Sequence, residues 1–184
     1  MTFEEFSERE LLLSGRIASR QLTRNAPIRD LEDVEFRAFS QWGEDGIIDW
    51  LVDHVSITRH SFIEFGVGNV EESNCRFLLQ NRNWKGLVFD SSVASIERLR
   101  NSVLYWQHDL TAGQAFITAE NINDLISDAG FAGPIGILSI DINGNDYWVW
   151  KAIASTPPLL FASTMRFSAT PGPSSFHTIR PLSD

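Results

Sequence analysis

The sequence predicts an α/β domain built on a doubly wound parallel sheet, and three observations predict it. Between His60 and Ile153, short apolar runs alternate with segments of helical periodicity. Each run stops at glycine or polar residues, as a buried strand does on entering a turn. Every run also delivers polar groups to its C-terminal end, the edge where open parallel sheets take ligands.

The elements follow in order. Residues 3–24 read as a helix, with Phe3, Phe6, Leu13, Ile17 and Leu22 on one side, closed by Asn25, Ala26 and Pro27. Ile47, Ile48, Leu51, Val52 and Val55 form the stripe of a second helix. Glu44 and Asp45 stand at its start, where the helix dipole favours negative charge. "SFIEFGV" is the first strand and "ESNCRFLLQNRN" a helix. "GLVFDSS" is the second strand and "VASIERLRN" a helix. "SVLYWQHDL" reads as the third strand, "NINDLISDAG" as a helix closed by Gly130, and "IGILSIDI" as the fourth strand. Right-handed crossovers then make the sheet Rossmann-like. The expected organisation is a helical extension over 1–35, a sheet domain over 36–156 and an irregular tail over 157–184.

Composition narrows the function. The chain has 184 residues, 43% of them hydrophobic, long enough for one domain with a real core. No apolar run reaches the length of a membrane span, and the acidic N-terminus is no secretory signal. A cytoplasmic protein without a membrane partner is expected. The net charge of −9, with only scattered arginines such as Arg16, Arg20 and Arg24, disfavours nucleic acid. Cys75 is the single cysteine, which excludes an intrachain disulfide and a cysteine zinc cage; it reads as a buried small hydrophobe.

The polar groups at the strand ends define the candidate site. The first strand supplies Glu64, Gly66 and Gly68, the second Asp90 and Ser91, the third His108 and Asp109. The fourth supplies Asp141, Asn143, Asn145 and Asp146. Glycines 66 and 68 let backbone approach a ligand, and Asp90 lies one βαβ unit on, where a carboxylate accepts from both ribose hydroxyls of a nucleoside. The third glycine of a dinucleotide fingerprint is replaced by Glu71, followed by Glu72. Two carboxylates at a helix start would repel a pyrophosphate. A phosphate-free nucleoside with a positive centre, S-adenosylmethionine, fits better than NAD. His108 and Asp146 are the catalytic candidates: His108 as a general base or a partner for a neighbouring carboxylate, and Asp146 also as the expected cap of a helix beginning near Tyr147. Asp141, Asn145 and Asp146 also suggest a loose divalent site, but no metal is assigned; "DINGND" lacks the glycine and glutamate of an EF-hand loop. Tyr147, Trp148 and Trp150 are expected in the core.

"SQWGEDGIIDWLV", "FIEFGVGNVEESNCRFLLQNRNWKGLVFD", "LYWQHDLTA" and "ILSIDINGNDYWVWKAI" together resemble the bacterial FkbM-like methyltransferases over about residues 36–155. The resemblance implies a class I methyltransferase fold using S-adenosylmethionine. It implies that Glu64, Gly66 and Gly68 form the first cofactor motif, that Asp90 is the ribose acid, and that Asp109 lies near adenine and Asp141 near the methionine end. The implied reaction is O-methyl transfer to a small-molecule or glycan hydroxyl. The family's "SIDIDGND" has an aspartate where this chain has Asn143. A non-catalytic nucleoside-binding module and an NAD-dependent oxidoreductase are the alternative readings, and the oligomeric state stays open.

The resemblance further implies a fifth strand and a segment like "VVCEYNAVFGDTR" after residue 155, whereas the chain has "LLFASTMRFSATPGPSSFHTIRP". Codon degeneracy permits a change of reading frame near residues 155–160. Phe161–Met165 written TTT GCG AGT ACA ATG contains TGC GAG TAC AAT, which encodes Cys-Glu-Tyr-Asn. The expectation is therefore a sheet incomplete on its C-terminal side, with the fourth strand's edge open and weak or absent catalysis.

Overall fold

The computed structural model describes residues 3–22, 28–68, 70–131, 133–142, 144–153, 160–165, 176–177 and 180–181. Its sheet follows the order β3-β2-β1-β4-β5-β6, with β7 also on β5. The strands are β1 (Ser61–Phe65), β2 (Lys85–Asp90), β3 (Leu110–Gln114), β4 (Ile137–Ile140), β5 (Leu160–Met165), β6 (Phe176–His177) and β7 (Arg180–Pro181). Strands β1 to β5 are mutually parallel, while β6 and β7 run antiparallel to β5. The order reverses between β1 and β4, so a doubly wound Rossmann-like switch point lies at their carboxyl ends.

The helices are α1 (Phe3–Leu22), α2 (Glu44–His54), α3 (Arg76–Arg82), α4 (Val93–Arg100), α5 (Val103–Gln107), α6 (Ile122–Asp128) and α7 (Asp146–Ala152). Alternation along the strands divides the core into two layers. Phe62, Val88, Leu110, Ala112 and Ile137 face a layer with Ile48 of α2, Leu78 and Leu79 of α3, and Ile96 and Leu99 of α4. Ile63, Phe65, Leu87, Phe89, Leu138 and Ile140 face the other, with Ile122 and Ile126 of α6 and Val149 of α7. Both faces being covered explains why the strands read as nearly continuous apolar runs. Among the described residues, no helix is long and apolar enough to cross a membrane.

Four expectations are corrected. "SVLYWQ" is not a strand: Ser102 caps α5, its Oγ accepting from Tyr105 N, and β3 begins only at Leu110. A serine cap outweighs the β-propensity of the residues that follow. The apolar side of α1 is not its docking side. Phe3, Phe6, Leu13 and Ile17 are exposed, and the helix is held by Leu12 against the Ala38, Phe39 and Phe77 cluster and by polar contacts. Arg16 donates from Nε to Asn81 Oδ1 and from Nη2 to Gln80 O. Tyr147 and Trp148 are exposed rather than core, while Trp150 packs partly against the second layer.

Finally, the edge of β4 is not open. Leu160–Met165 lies along it in register, with Ile137 opposite Leu160 and Ile140 opposite Ser163. An unpaired parallel edge is a template for any chain of adequate β-propensity, and "LLFASTM" supplies one. The tail is thus not irregular at 160–165, 176–177 or 180–181. The rest of the expected irregular segment, 157–159, 166–175, 178–179 and 182–184, lies outside the described residues.

Candidate functional site

The loop after β1 is shaped from below by Glu64. This residue is central in the sheet and buried, opposite Val88 on one side and Ser139 on the other. Its Oε2 accepts from Ser73 Oγ at 2.7 Å and from Cys75 N at 3.1 Å, and its Oε1 from Asn74 N at 2.8 Å. Asn74 Nδ2 donates to Ser139 Oγ at 3.2 Å, tying the loop to β4. Burial raises the Glu64 pKa against the lowering effect of these donors. Cys75, wholly buried beside it, has its thiol pushed well up by burial and by the negative charge of Glu64. The sulfur is therefore a protonated core group. In this structure Glu64 acts as a scaffold for the loop.

Above it, Gly66 and Gly68 adopt positive φ, +82° and +55°. A Cβ on Gly66 would lie 1.8 Å from Asp141 O, so this glycine is required by the close approach of the β1 and β4 loops. Gly68 is different: no atom lies within 4 Å of where its Cβ would be. Its amide points at Asp90, donating to Oδ2 at 2.7 Å, while Ser92 N donates to Oδ1 at 2.8 Å. Each carboxylate oxygen of half-buried Asp90 is thereby aimed by one backbone donor and keeps a second lone pair for another.

Ser91 follows Asp90 and is exposed; its carbonyl accepts from Gln114 Nε2 at 3.0 Å. Gln114 ends β3 and Phe116, 72% exposed, follows it. Sequence reasoning missed both because it placed β3 one segment early. The signal was present: "LTAGQAF" is itself a short run before the "NINDL" helix. Asp141 stands at the end of β4 beside Gly66, its amide donating to Phe65 O at 3.0 Å.

The structure therefore brings Gly66, Gly68, Asp90, Ser91 and Asp141 together around the switch point. It removes His108 and Asp109. Both precede β3, and Asp109 O accepts from Gly86 N near the start of β2, so they belong to the opposite, amino edge. Burial, with the nearby Arg76 charge, lowers the pKa of His108, which stands six residues before Gln114, the partner of Asp90.

Asp146 is buried, its Oδ1 accepting from Ile142 N at 3.0 Å and Oδ2 from Gly144 N at 2.9 Å. It is not the N-cap of α7, which is Asn145. As the first helical residue, Asp146 holds the preceding turn in place. Among the described residues, no group of three or more histidine, cysteine, aspartate or glutamate side chains is gathered to hold a metal. Glu71 and Glu72 are exposed and precede α3 by a turn rather than opening it. Arg37 Nη2 lies 4.0 Å from Glu72 Oε1, and Gln41 Nε2 donates to Glu72 Oε2 at 3.4 Å.

No protein-family model matches the chain, and no curated protein matches it. Among solved structures it is similar to a SAM-dependent O-methyltransferase from Thermotoga maritima, with a TM-score of 0.43 and 13% sequence identity. The match covers 82% of this chain and 49% of that one, so the chain spans about half that protein's length.

Proposed function

We propose that the chain is an S-adenosylmethionine-binding domain of the class I methyltransferase type, related to the FkbM-like group, whose reaction is O-methyl transfer to a small-molecule or glycan hydroxyl. The observation that carries this reading is the pairing of Asp90 with Gly68. A carboxylate at the end of the second strand, aimed by two backbone amides and bordered by open space over a glycine, suits a ribose diol. Asp141, at the end of β4 beside Gly66, favours a ligand carrying an ammonium and a sulfonium over one carrying a pyrophosphate.

When bound, S-adenosylmethionine supplies an electrophilic methyl group. Asp90 would accept from the ribose hydroxyls, the Gly66–Gly68 turn would let backbone pass close to the nucleoside, and Asp141 would face its methionine end. Glu64 and Asp146 hold the two loops between which the ligand fits. Methyl transfer depends chiefly on alignment of donor and acceptor, so a site without a positioned base remains chemically competent.

The second reading, a nucleoside-binding module without turnover, is favoured by one observation: His108 lies at the amino edge, and Asp146 is buried with both oxygens holding the turn before α7. Thermal-shift titration with S-adenosylhomocysteine and with NAD tests the ligand class. The proposal expects stabilisation by the first and none by the second, and the reverse preference would refute it. Release of S-adenosylhomocysteine in the presence of hydroxyl acceptors separates enzyme from binding module.

A further inference from the structure

Arg76 opens α3 and is only 4% exposed. Its guanidinium is shared among elements far apart in sequence. Nη2 donates to Glu8 Oε1 of α1 at 2.6 Å, Nη1 to Val70 O at 3.4 Å and Nε to Gln80 Oε1 at 3.3 Å. The Phe39 ring centroid lies 4.2 Å from its Cζ. A buried guanidinium needs a counter-charge, and here that charge arrives from the N-terminal helix, outside the sheet domain.

The loop end of the contact is strained. Val70 has φ +68° and is buried, and a β-branched residue in the left-handed region persists only where its surroundings hold it. Its amide donates to Val67 O at 2.8 Å and its carbonyl accepts from Arg76. Two residues earlier, the Gly68 amide orients Asp90. A continuous path of contacts thus runs from Glu8 through Arg76 and Val70 to the turn that aims the Asp90 carboxylate.

We propose that Arg76 is a positioning residue through which docking of α1 sets the conformation of the Gly66–Asn74 loop, so that helix docking and adenosyl binding are coupled. The ligand half of this proposal rests on the function proposed above; the conformational half does not. Release of Glu8 leaves the guanidinium buried without that partner and frees it to leave Val70 O, which lets the strained turn relax. Any ligand that needs the turn formed then binds more weakly, by the fraction of molecules that retain it.

The test is amide hydrogen exchange on the ligand-free full chain, followed by calorimetry with S-adenosylhomocysteine. In Glu8→Gln, exchange of peptides spanning residues 66–75 is expected to rise about tenfold while β1 and β2 stay protected. Affinity for S-adenosylhomocysteine is expected to fall by a similar factor. Faster exchange confined to α1, with the loop unchanged, would overturn the proposal and reduce Arg76 to an anchor for the helix. Should Glu8→Gln lose protection everywhere, Leu12→Ala decides. It loosens α1 at its apolar contact and leaves Glu8 in place, and loop exchange must again follow α1 exchange. If wild type binds no S-adenosylhomocysteine, the ligand reading fails while the exchange result still judges the coupling.

Discussion

Two carboxylates near the switch point, Asp90 and Glu64, differ in what occupies their oxygens, and their mutations should differ accordingly. Asp90 has one backbone donor on each oxygen and room for more. Asp90→Asn should weaken adenosyl binding by about tenfold or more, the value of a lost charge-assisted hydrogen bond of about 1.5–3 kcal/mol, and its single acceptor oxygen leaves one of the Gly68 and Ser92 amides without its partner. Glu64 is buried and holds three donors, with both oxygens in use. An amide has one acceptor oxygen, so Glu64→Gln should cost about 1–3 kcal/mol of stability, measured by urea denaturation. Its pH dependence has a definite sign. A carboxyl whose folded pKa is raised above its ordinary value, 4.5 for glutamate, binds its proton more tightly folded than unfolded. The wild type's margin over Glu64→Gln is therefore greatest below pH 4.5 and shrinks as pH rises through the raised value. A margin that grows with pH would contradict the assignment. Asp90, Gly66 and Gly68 were legible in sequence because strand ends and glycines mark that edge. The roles of Glu64 and Asp146 were not, because a side chain that folds back on its own loop leaves no periodic trace.

At the scale of elements, α2 and α3 are joined by a charged clamp. Arg82 Nε donates to buried Asp49 at 2.6 Å, and Nη1 and Nη2 take Asp53 at 2.6 and 2.7 Å. Arg82→Met should destabilise by about 3–5 kcal/mol, because Asp49 is left buried without its cation. Arg82→Met with Asp49→Asn should recover part of the loss in the same urea titration. An additive double mutant would show that the pair is not coupled. Helix α2 itself was readable from its stripe, whereas β3 was displaced by one segment. "VLYWQ" has strong strand propensity, yet five residues behind a serine cap form a turn of helix as readily, and only the register of Leu110 against Gly86 decides. That displacement carried His108 and Asp109 to the wrong edge. A residue's edge depends on where its strand begins, which propensity locates least well.

For the molecule as a whole, the alternation of apolar runs and helices implied the doubly wound sheet, and the two core layers agree with it. The tail was not legible. Its apolar content is weak and irregular, and what recruits Leu160–Met165 is the free edge of β4, a property of the assembled sheet. Truncation after Ile153 should therefore uncover Ile137–Ile140 and yield a protein that aggregates on light scattering. A truncated chain that stays monomeric would show that β5 is dispensable. We propose that the carboxyl edge between β1, β2 and β4 is an adenosyl site organised by Asp90. Calorimetric titration of S-adenosylhomocysteine into wild type and Asp90→Asn tests it most directly. The account predicts saturable one-to-one binding to wild type that is about tenfold or more weaker in the variant. Equal affinities for both proteins, or no binding by correctly folded wild type, would contradict it.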